Sequence, residues 1–179
     1  LFYENRIQHG SSEGGGTIAV AFSFNPSTSE PNNVFANNTI VGNFGSNASG
    51  AMNASPLGFW NSQAIVFNNI IWDNDGAGIY FSDDDLKYND HNNIEFWDQN
   101  DPLFGENTFS HNPKFKNPSN NNYQLSNNSP LIDMGTFSAE GNNAPVVDIR
   151  GYYRVGTPDL GAYEAGASKY ILAMADDIT

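Results

Sequence analysis

The sequence predicts an all-β fold in which short strands stack as the coils of a parallel β-helix, or β-solenoid. Three observations predict it. Aromatic residues make up 13% of the chain and recur between turns rich in glycine and asparagine, as in proteins with many short strands. The chain contains 27 asparagines, and the segments around them repeat at nearly constant intervals. A glycine-containing element follows each copy by about a dozen residues or slightly fewer, so each unit holds at least two strands.

The repeats define about four coils. VFANNTIVGN (34–43) matches IVFNNIIWDN (65–74) at an offset of 31 residues. An offset of 33 places LFYENRIQHG (1–10) on the same frame, with Ile7 on Ile40, and HNNIEFW is a weaker fourth copy at an offset of 24. Units of this length, with two or three short strands each, are typical of solenoid coils.

The repeated asparagines are predicted to stack as ladders. Asn38 and Ile40 are two positions apart and share a face, which we expect to point inward, whereas Thr39 and Val41 point outward. Stacked amide side chains at a turn satisfy buried backbone groups from one coil to the next. We therefore interpret four asparagines as ladder or turn residues: Asn5, Asn38, Asn69 and Asn93.

The chain is predicted to divide into coils at 1–100, a C-terminal capping segment packed on the solenoid at 101–168, and a tail or linker at 169–179. The end of a solenoid exposes apolar surface and open strand edges that need a cover. The residues expected to supply that cover are Phe115, Leu125, Leu131, Ile132, Leu160 and Tyr163.

Two rare opposite charges, Asp148 and Arg154, flank Gly151. We expect them to pair and clamp this turn by a charge-assisted hydrogen bond. The alternative is that Arg150 or Arg154 contacts an acidic sugar.

The blocks NPKFKNPSNNNYQLSNNSPLIDMG (112–135) and DIRGYYRVGTPDLGAYEAG (148–166) carry a resemblance. They resemble the C-terminal segment of bacterial right-handed β-helix proteins of the pectate-lyase-like superfamily, including those with a choice-of-anchor module. The matching positions are Pro113, Phe115, Tyr123, Leu125, 129–135, Asp148, Gly151, Arg154 and 159–164. The resemblance implies a right-handed helix in a secreted or cell-surface protein, of which this chain is the C-terminal part. We expect further domains or a surface anchor beyond its ends.

Composition disfavours several partners. The net charge is −13, with only seven lysines and arginines, so a nucleic acid or an anionic membrane is not expected as a partner. The sequence shows no membrane span. The absence of cysteine excludes disulfides, thiolate metal sites and a cysteine nucleophile.

Acidic side chains concentrate in one region, which makes Ca²⁺ the candidate cofactor because hard oxygen ligands suit this ion. The candidate ligands are Asp73, Asp75, Asp83, Asp84 and Asp85, with Lys87 and His91 nearby. The alternative is a common turn at DNDG and a solvated loop at FSDDDLKYND.

No catalytic residue is assigned. Polysaccharide lyases on this fold combine a basic residue with a bound cation, and Lys87 has no second cation near it. The motifs of polygalacturonase-type glycosidases are incomplete and out of order here. The candidate carbohydrate-binding residues are aromatic: Trp60, Trp72, Tyr80 and Trp97. Packing between coils or under the cap is their alternative role.

The leading hypothesis is a secreted or cell-surface β-helix domain that contacts polysaccharide and is not catalytic alone. A second hypothesis places the chain in a Ca²⁺-dependent polysaccharide lyase or a glycoside hydrolase whose catalytic residues lie on upstream coils. A third is an adhesin or filament in which the solenoid is a spacer. The fold class alone does not choose among them.

Overall fold

The computed structural model describes residues 2–3, 6–9, 18–21, 33–47, 57–60, 64–74, 78–81, 86–97, 102–167 and 169. Within these ranges the chain is all-β, with one short 3-10 helix at Pro118–Asn120. No helix in this part of the chain is long and apolar enough to cross a membrane. The strands are β1 Phe2–Tyr3, β2 Arg6–His9, β3 Ile18–Ala21, β4 Asn33–Ala36, β5 Thr39–Val41, β6 Phe44–Asn47, β7 Leu57–Trp60, β8 Ala64–Phe67, β9 Ile70–Trp72, β10 Ile79–Phe81, β11 Leu86–Asp90, β12 Asn93–Ile94, β13 Phe115–Asn117, β14 Asn122–Leu125, β15 Ser138–Ala139 and β16 Asn142–Asn143.

The first twelve strands pair in parallel. One sheet has the order β1-β5-β9-β12, a second β10-β7-β3 and a third β11-β8-β4, and β2 pairs with β6. Parallel neighbours require long connections, and here each connection contains strands of the other sheets. The four strands that follow form two antiparallel hairpins, β13 with β14 and β15 with β16.

The strand register confirms one predicted repeat offset and corrects two. Thr39 pairs with Ile70, which is the predicted offset of 31 residues. Ile70 pairs with Asn93, an offset of 23 instead of 24. Ile7 pairs with Gly45 and not with Ile40, so the first offset is 38 instead of 33. Loops between strands differ in length without moving the strand register, and matching the sequence against itself therefore misplaced these copies.

The inward side chains of the parallel sheets form one apolar cluster. Ile40 and Ile71, which are paired across β5 and β9, are both fully buried in it, as predicted for Ile40. Ile94 on β12 continues the same column. The other buried members are Leu57, Phe59, Ala64, Val66 and Ile79. Strands of only two to four residues therefore build a core together, because β5, β7, β8, β9, β10 and β12 each contribute buried side chains to this cluster.

The opposite face of the β5–β9 sheet is also buried. Thr39 and Val41 point away from Ile40, as predicted, yet they are only 1% and 4% exposed. The C-terminal segment covers them: Ile70 on this face packs in a cluster with Leu131 and Leu160. Five of the six expected cover residues, all except Tyr163, thus pack in this cluster on the side of a sheet, and not over the end of the strand stack as the sequence suggested.

The end of the strand stack has a different cover. Trp97 and Phe104 contact each other with ring centroids 5.3 Å apart, and both pack against the inward cluster. Phe109 then forms a parallel bridge with Asn93, which extends the β12 edge by one further residue.

Asparagine ladders connect successive repeats, as predicted for Asn38 and Asn69. The backbone N–H groups of Asn38 and Asn69 donate to the side-chain oxygens of Asn69 and Asn92, both at 2.8 Å. The partner of Asn69 is thus Asn92 and not Asn93, whose side-chain oxygen instead accepts from the backbone of His111 at 2.8 Å. Asn5 lies outside the described residues.

A second ladder joins Asn43 to Asn74, with the backbone of Asn43 donating to the Asn74 side chain at 3.0 Å. A third joins Asn68 to Asn37, whose side chains are hydrogen-bonded at 3.2 Å. Both residues of the third ladder have positive φ, 59° for Asn68 and 52° for Asn37, a conformation in which asparagine is enriched among the non-glycine residues. The repeated asparagines therefore have a structural role, because their amide side chains bridge these turns from one repeat to the next.

Candidate ligand-binding pocket

The basic residues of this acidic chain concentrate in its C-terminal segment. Five of the seven lie between positions 114 and 169: Lys114, Lys116, Arg150, Arg154 and Lys169. Arg150 and Arg154 form ion pairs, and Lys116 and Arg150 line a surface pocket.

The predicted pair of Asp148 with Arg154 is wrong, because each residue has another partner. Asp148 binds Arg150, whose Nε donates to Oδ2 at 2.8 Å and whose Nη2 contacts the same oxygen. The turn at Gly151, with φ of 77°, closes with its N–H on the carbonyl of Asp148 and brings Arg150 back over the carboxylate.

The Asp148 side chain is fully buried, yet its surroundings favour the ionised carboxylate over the protonated acid. Burial opposes its ionisation, but hydrogen bonds from the Arg150 side chain and from the N–H groups of Tyr152, Arg150 and Glu164 outweigh that effect and lower the pKa of Asp148. Asp148 therefore fixes the position of its arginine partner and compensates its charge.

Arg154 binds Glu164 instead, in a second and deeper ion pair. Their side chains are 5% and 1% exposed, and Arg154 Nη1 donates to Glu164 Oε2 at 2.8 Å. Glu164 also accepts from the N–H groups of Val155 and Asp159 at 3.2 Å and 3.0 Å. The Glu164 carboxylate therefore binds groups from several loops of the segment and joins these loops to one another.

Asp159 is the most perturbed acid in the described residues. Burial raises its pKa to about 6, and the neighbouring charges of Glu164 and Asp133 act in the same direction. The backbone N–H groups of Ala165 and Asp133 oppose the shift by donating to its carboxylate. Its backbone carbonyl accepts from the Asn37 side chain at 3.1 Å, so the residue also joins the segment to the third ladder.

A pocket of about 130 Å³ opens beside the Asp148–Arg150 pair. Its lining combines two cations, one carboxylate, two amides, an aromatic ring, a leucine and a short apolar loop: Lys116, Arg150, Glu164, Gln124, Asn127, Tyr152, Leu125, Ala165, Gly166 and Ala167. Pockets for whole small molecules are usually about 300–1,000 Å³, so this one fits a single substituted unit of a larger ligand better than a free metabolite.

Aromatic rings hold the basic groups of the pocket. The Arg150 guanidinium lies over the rings of Tyr152 and Tyr163, 5.0 Å and 5.5 Å from their centroids. Lys169 Nζ lies 5.8 Å from the Tyr152 centroid. Cation–π contacts of this kind favour a positive charge at the face of the ring.

The aromatic residues selected from the sequence lie elsewhere. Trp72 is half-buried and packs in the cluster with Leu131, and Trp97 packs on Phe104. Trp60 and Tyr80 belong to β7 and β10, and their side chains lie outside the described part of the structure. A carbohydrate-binding role for these four residues stays a prediction.

The predicted Ca²⁺ ligands are only partly within the described residues. Asp73 is exposed at a turn with φ of 53°, and its N–H donates to Glu95 Oε2 at 2.5 Å. Asp75, Asp83, Asp84 and Asp85 lie outside the described ranges. Within those ranges, no three metal-ligating His, Cys, Asp or Glu side chains come together. The Ca²⁺ site stays a prediction.

The sequence interpretation missed Lys116, Gln124 and Tyr152 as site residues. A usable signal existed, because basic residues are rare in this chain and Lys114, Lys116 and Arg150 all fall in the two C-terminal blocks.

Comparison with known proteins identifies no relative: no protein-family model, no curated protein and no solved structure matches this chain.

Proposed function

We propose that this chain is a right-handed parallel β-helix domain of a secreted or cell-surface protein, of the pectate-lyase-like type, and that it contacts polysaccharide. Four parallel pairings support the coil arrangement, each joining equivalent positions of successive repeats: β1–β5, β5–β9, β4–β8 and β8–β11. The Asn38–Asn69–Asn92 ladder supports it as well, because ladders of this kind require strands stacked in register.

The pocket beside Arg150 carries the functional part of the proposal. It presents the Tyr152 ring, the side chains of Gln124 and Asn127, and the cation of Lys116 around one opening. A sugar ring matches this combination, because its apolar face stacks on an aromatic ring while its hydroxyl groups exchange hydrogen bonds with amides and cations.

The size of the pocket favours a polymer over a free sugar. A volume of about 130 Å³ encloses one substituted ring edge and leaves neighbouring units outside. A glycan chain repeats such a unit along its length, so each polymer molecule offers the pocket many equivalent places to bind.

Affinity electrophoresis of the chain through gels containing neutral and acidic polysaccharides tests the proposal. Retardation by at least one polysaccharide is expected, together with its loss in Tyr152→Ala. Phe137→Ala is the matched control, because Phe137 is an aromatic residue of the same segment that is 63% exposed and does not line the pocket. Unretarded migration in every gel contradicts the proposal, as does equal loss of retardation in both variants.

A further inference from the structure

The two cations of the pocket differ in whether their charge is already neutralised. Arg150 donates from Nε and Nη2 to the buried carboxylate of Asp148, and Nη2 also donates to the Glu164 carbonyl at 2.8 Å. Its Nη1 donates to Gln124 Oε1 at 3.0 Å. The guanidinium charge is therefore compensated by Asp148, and its nitrogens are hydrogen-bonded within the protein. Arg150 is thus held in one position in the pocket lining.

Lys116 is in the opposite situation. Its Nζ lies 3.4 Å from the neutral Gln124 Oε1, and no carboxylate of the described residues lies within ion-pairing distance of it. The other charged group of the lining, Glu164, is engaged by Arg154. Counted over the described residues, the lining consequently carries one positive charge without a carboxylate partner, in a chain whose net charge is −13.

A second cation, which has no ion-pair partner among the described residues, lies near the Tyr152 ring. It is Lys169, whose Nζ is 5.8 Å from the centroid of that ring. An anion that enters the pocket therefore meets a local positive potential, although the chain as a whole repels anions. Low-dielectric walls strengthen such a local field.

We propose that the pocket selects sugars whose ring carries an anionic substituent, and that Lys116 is its specificity-determining residue. The substituent, a carboxylate or a sulfate ester, pairs with Lys116 Nζ while the ring lies on Tyr152. This inference rests on the proposed function and adds the ligand class and the residue that sets it. Arg150 acts as a positioning residue, because it holds Gln124 and the Tyr152 ring in place.

Calorimetric titration with four polymers tests the inference: polygalacturonate, its fully methyl-esterified form, a sulfated galactan and the same galactan after desulfation. The chain is expected to bind at least one charged polymer about tenfold or more tightly than its neutral counterpart, the ratio that a charge-assisted hydrogen bond provides. The pair with the larger ratio identifies carboxylate or sulfate as the substituent.

Lys116→Gln is expected to remove this preference, and Lys116→Arg to retain it. Lys114→Gln is the matched control, since Lys114 is two positions away, hydrogen-bonds the Asn128 carbonyl and does not line the pocket. Each glutamine variant removes one positive charge, so a general charge effect would change the polymer affinity of both variants by the same amount. Thermal melting of each variant verifies that it is folded.

Three results overturn the inference. Equal affinity for charged and neutral forms removes the anionic selectivity but leaves polysaccharide binding in place. Equal effects of Lys114→Gln and Lys116→Gln show a diffuse charge effect and no specific site. An absence of binding to all four polymers, together with unretarded migration in every electrophoresis gel, contradicts the proposed function itself.

Discussion

Gly161 and Thr39 are far apart in the sequence, yet a Cβ placed on Gly161 would lie 2.6 Å from Thr39 Oγ1. The same Cβ would lie 2.7 Å from Cδ1 of Ile70. Gly161 also donates its N–H to the carbonyl of Asn68 at 2.7 Å. The C-terminal segment thus approaches the outer face of the β5–β9 sheet at a distance that only a glycine permits.

Gly161→Ala is therefore expected to destabilise the protein more than Gly166→Ala. Both glycines have positive φ, 87° and 70°, so each alanine introduces left-handed strain of about 1–2 kcal/mol. Only the Cβ at position 161 meets other atoms, since nothing lies within 4 Å of the one at position 166. Urea denaturation of both variants measures the difference, and equal losses would mean that the segment does not pack as described.

The Asn69 side chain is expected to be the most sensitive member of its ladder. It donates to the Phe67 carbonyl and to the Asn92 side chain, and accepts from the Asn38 backbone, while being fully buried. Asn69→Ala leaves several of these groups unpaired, at about 1–3 kcal/mol for each buried group. Asn120→Ala, at an exposed position, is the control, and denaturation midpoints that fall equally in both variants would contradict the ladder.

The buried pair of Arg154 with Glu164 should show strong coupling. Arg154→Leu leaves the glutamate buried without its charge partner, and such losses cost about 3–5 kcal/mol. Adding Glu164→Gln to that variant removes the isolated charge and should recover part of the loss. A double-mutant cycle by chemical denaturation gives the coupling free energy, and additive effects would show that the two residues do not interact.

Asp159 gives the protein a defined pH dependence. Its folded pKa of about 6 lies above the unfolded value of 3.8, so the folded state binds the proton more tightly between these two values. The Asp159 contribution to stability therefore rises as the pH falls from about 7 to about 4, and it is lost as the pH rises through about 6.

The Asp159→Asn variant isolates this contribution, because it removes only the Asp159 carboxyl and keeps every other acid of the chain. The difference in unfolding free energy between wild type and variant is expected to change with pH across this window and to be flat above it. Denaturation series at half-unit pH steps measure it. A constant difference at all pH values would show that Asp159 titrates normally.

The predicted Ca²⁺ site has its own test. If the acidic run binds the ion, Ca²⁺ raises the melting temperature of the wild type, and replacing Asp83, Asp84 and Asp85 together by asparagine abolishes that rise. Glu106→Gln, an exposed acidic position outside the run, is the control. An unchanged rise in the triple variant places the ion elsewhere, and no rise in the wild type contradicts the site.

The sequence by itself determined the all-β class, the inward position of Ile40, the 31-residue spacing and the pairing of Asn38 with Asn69. These features follow from short sequence patterns, since the segments around Asn38 and Asn69 repeat the same inward isoleucine and the same turn asparagine. The offsets involving Ile7 and Asn93 were wrong because insertions in loops change the spacing without changing the strand register.

The tertiary structure alone decided how the C-terminal segment is used. It covers the side of a sheet because Thr39, Val41 and Ile70 need burial there, and a strand pattern does not reveal what lies on its outer face. The ion-pair partners also depended on the fold. The Gly151 turn directs Arg150 to Asp148, whereas Arg154 pairs with Glu164, which lies on a separate loop. The pocket has the same origin, because its charge balance follows from these pairings and leaves Lys116 without a carboxylate among the described residues.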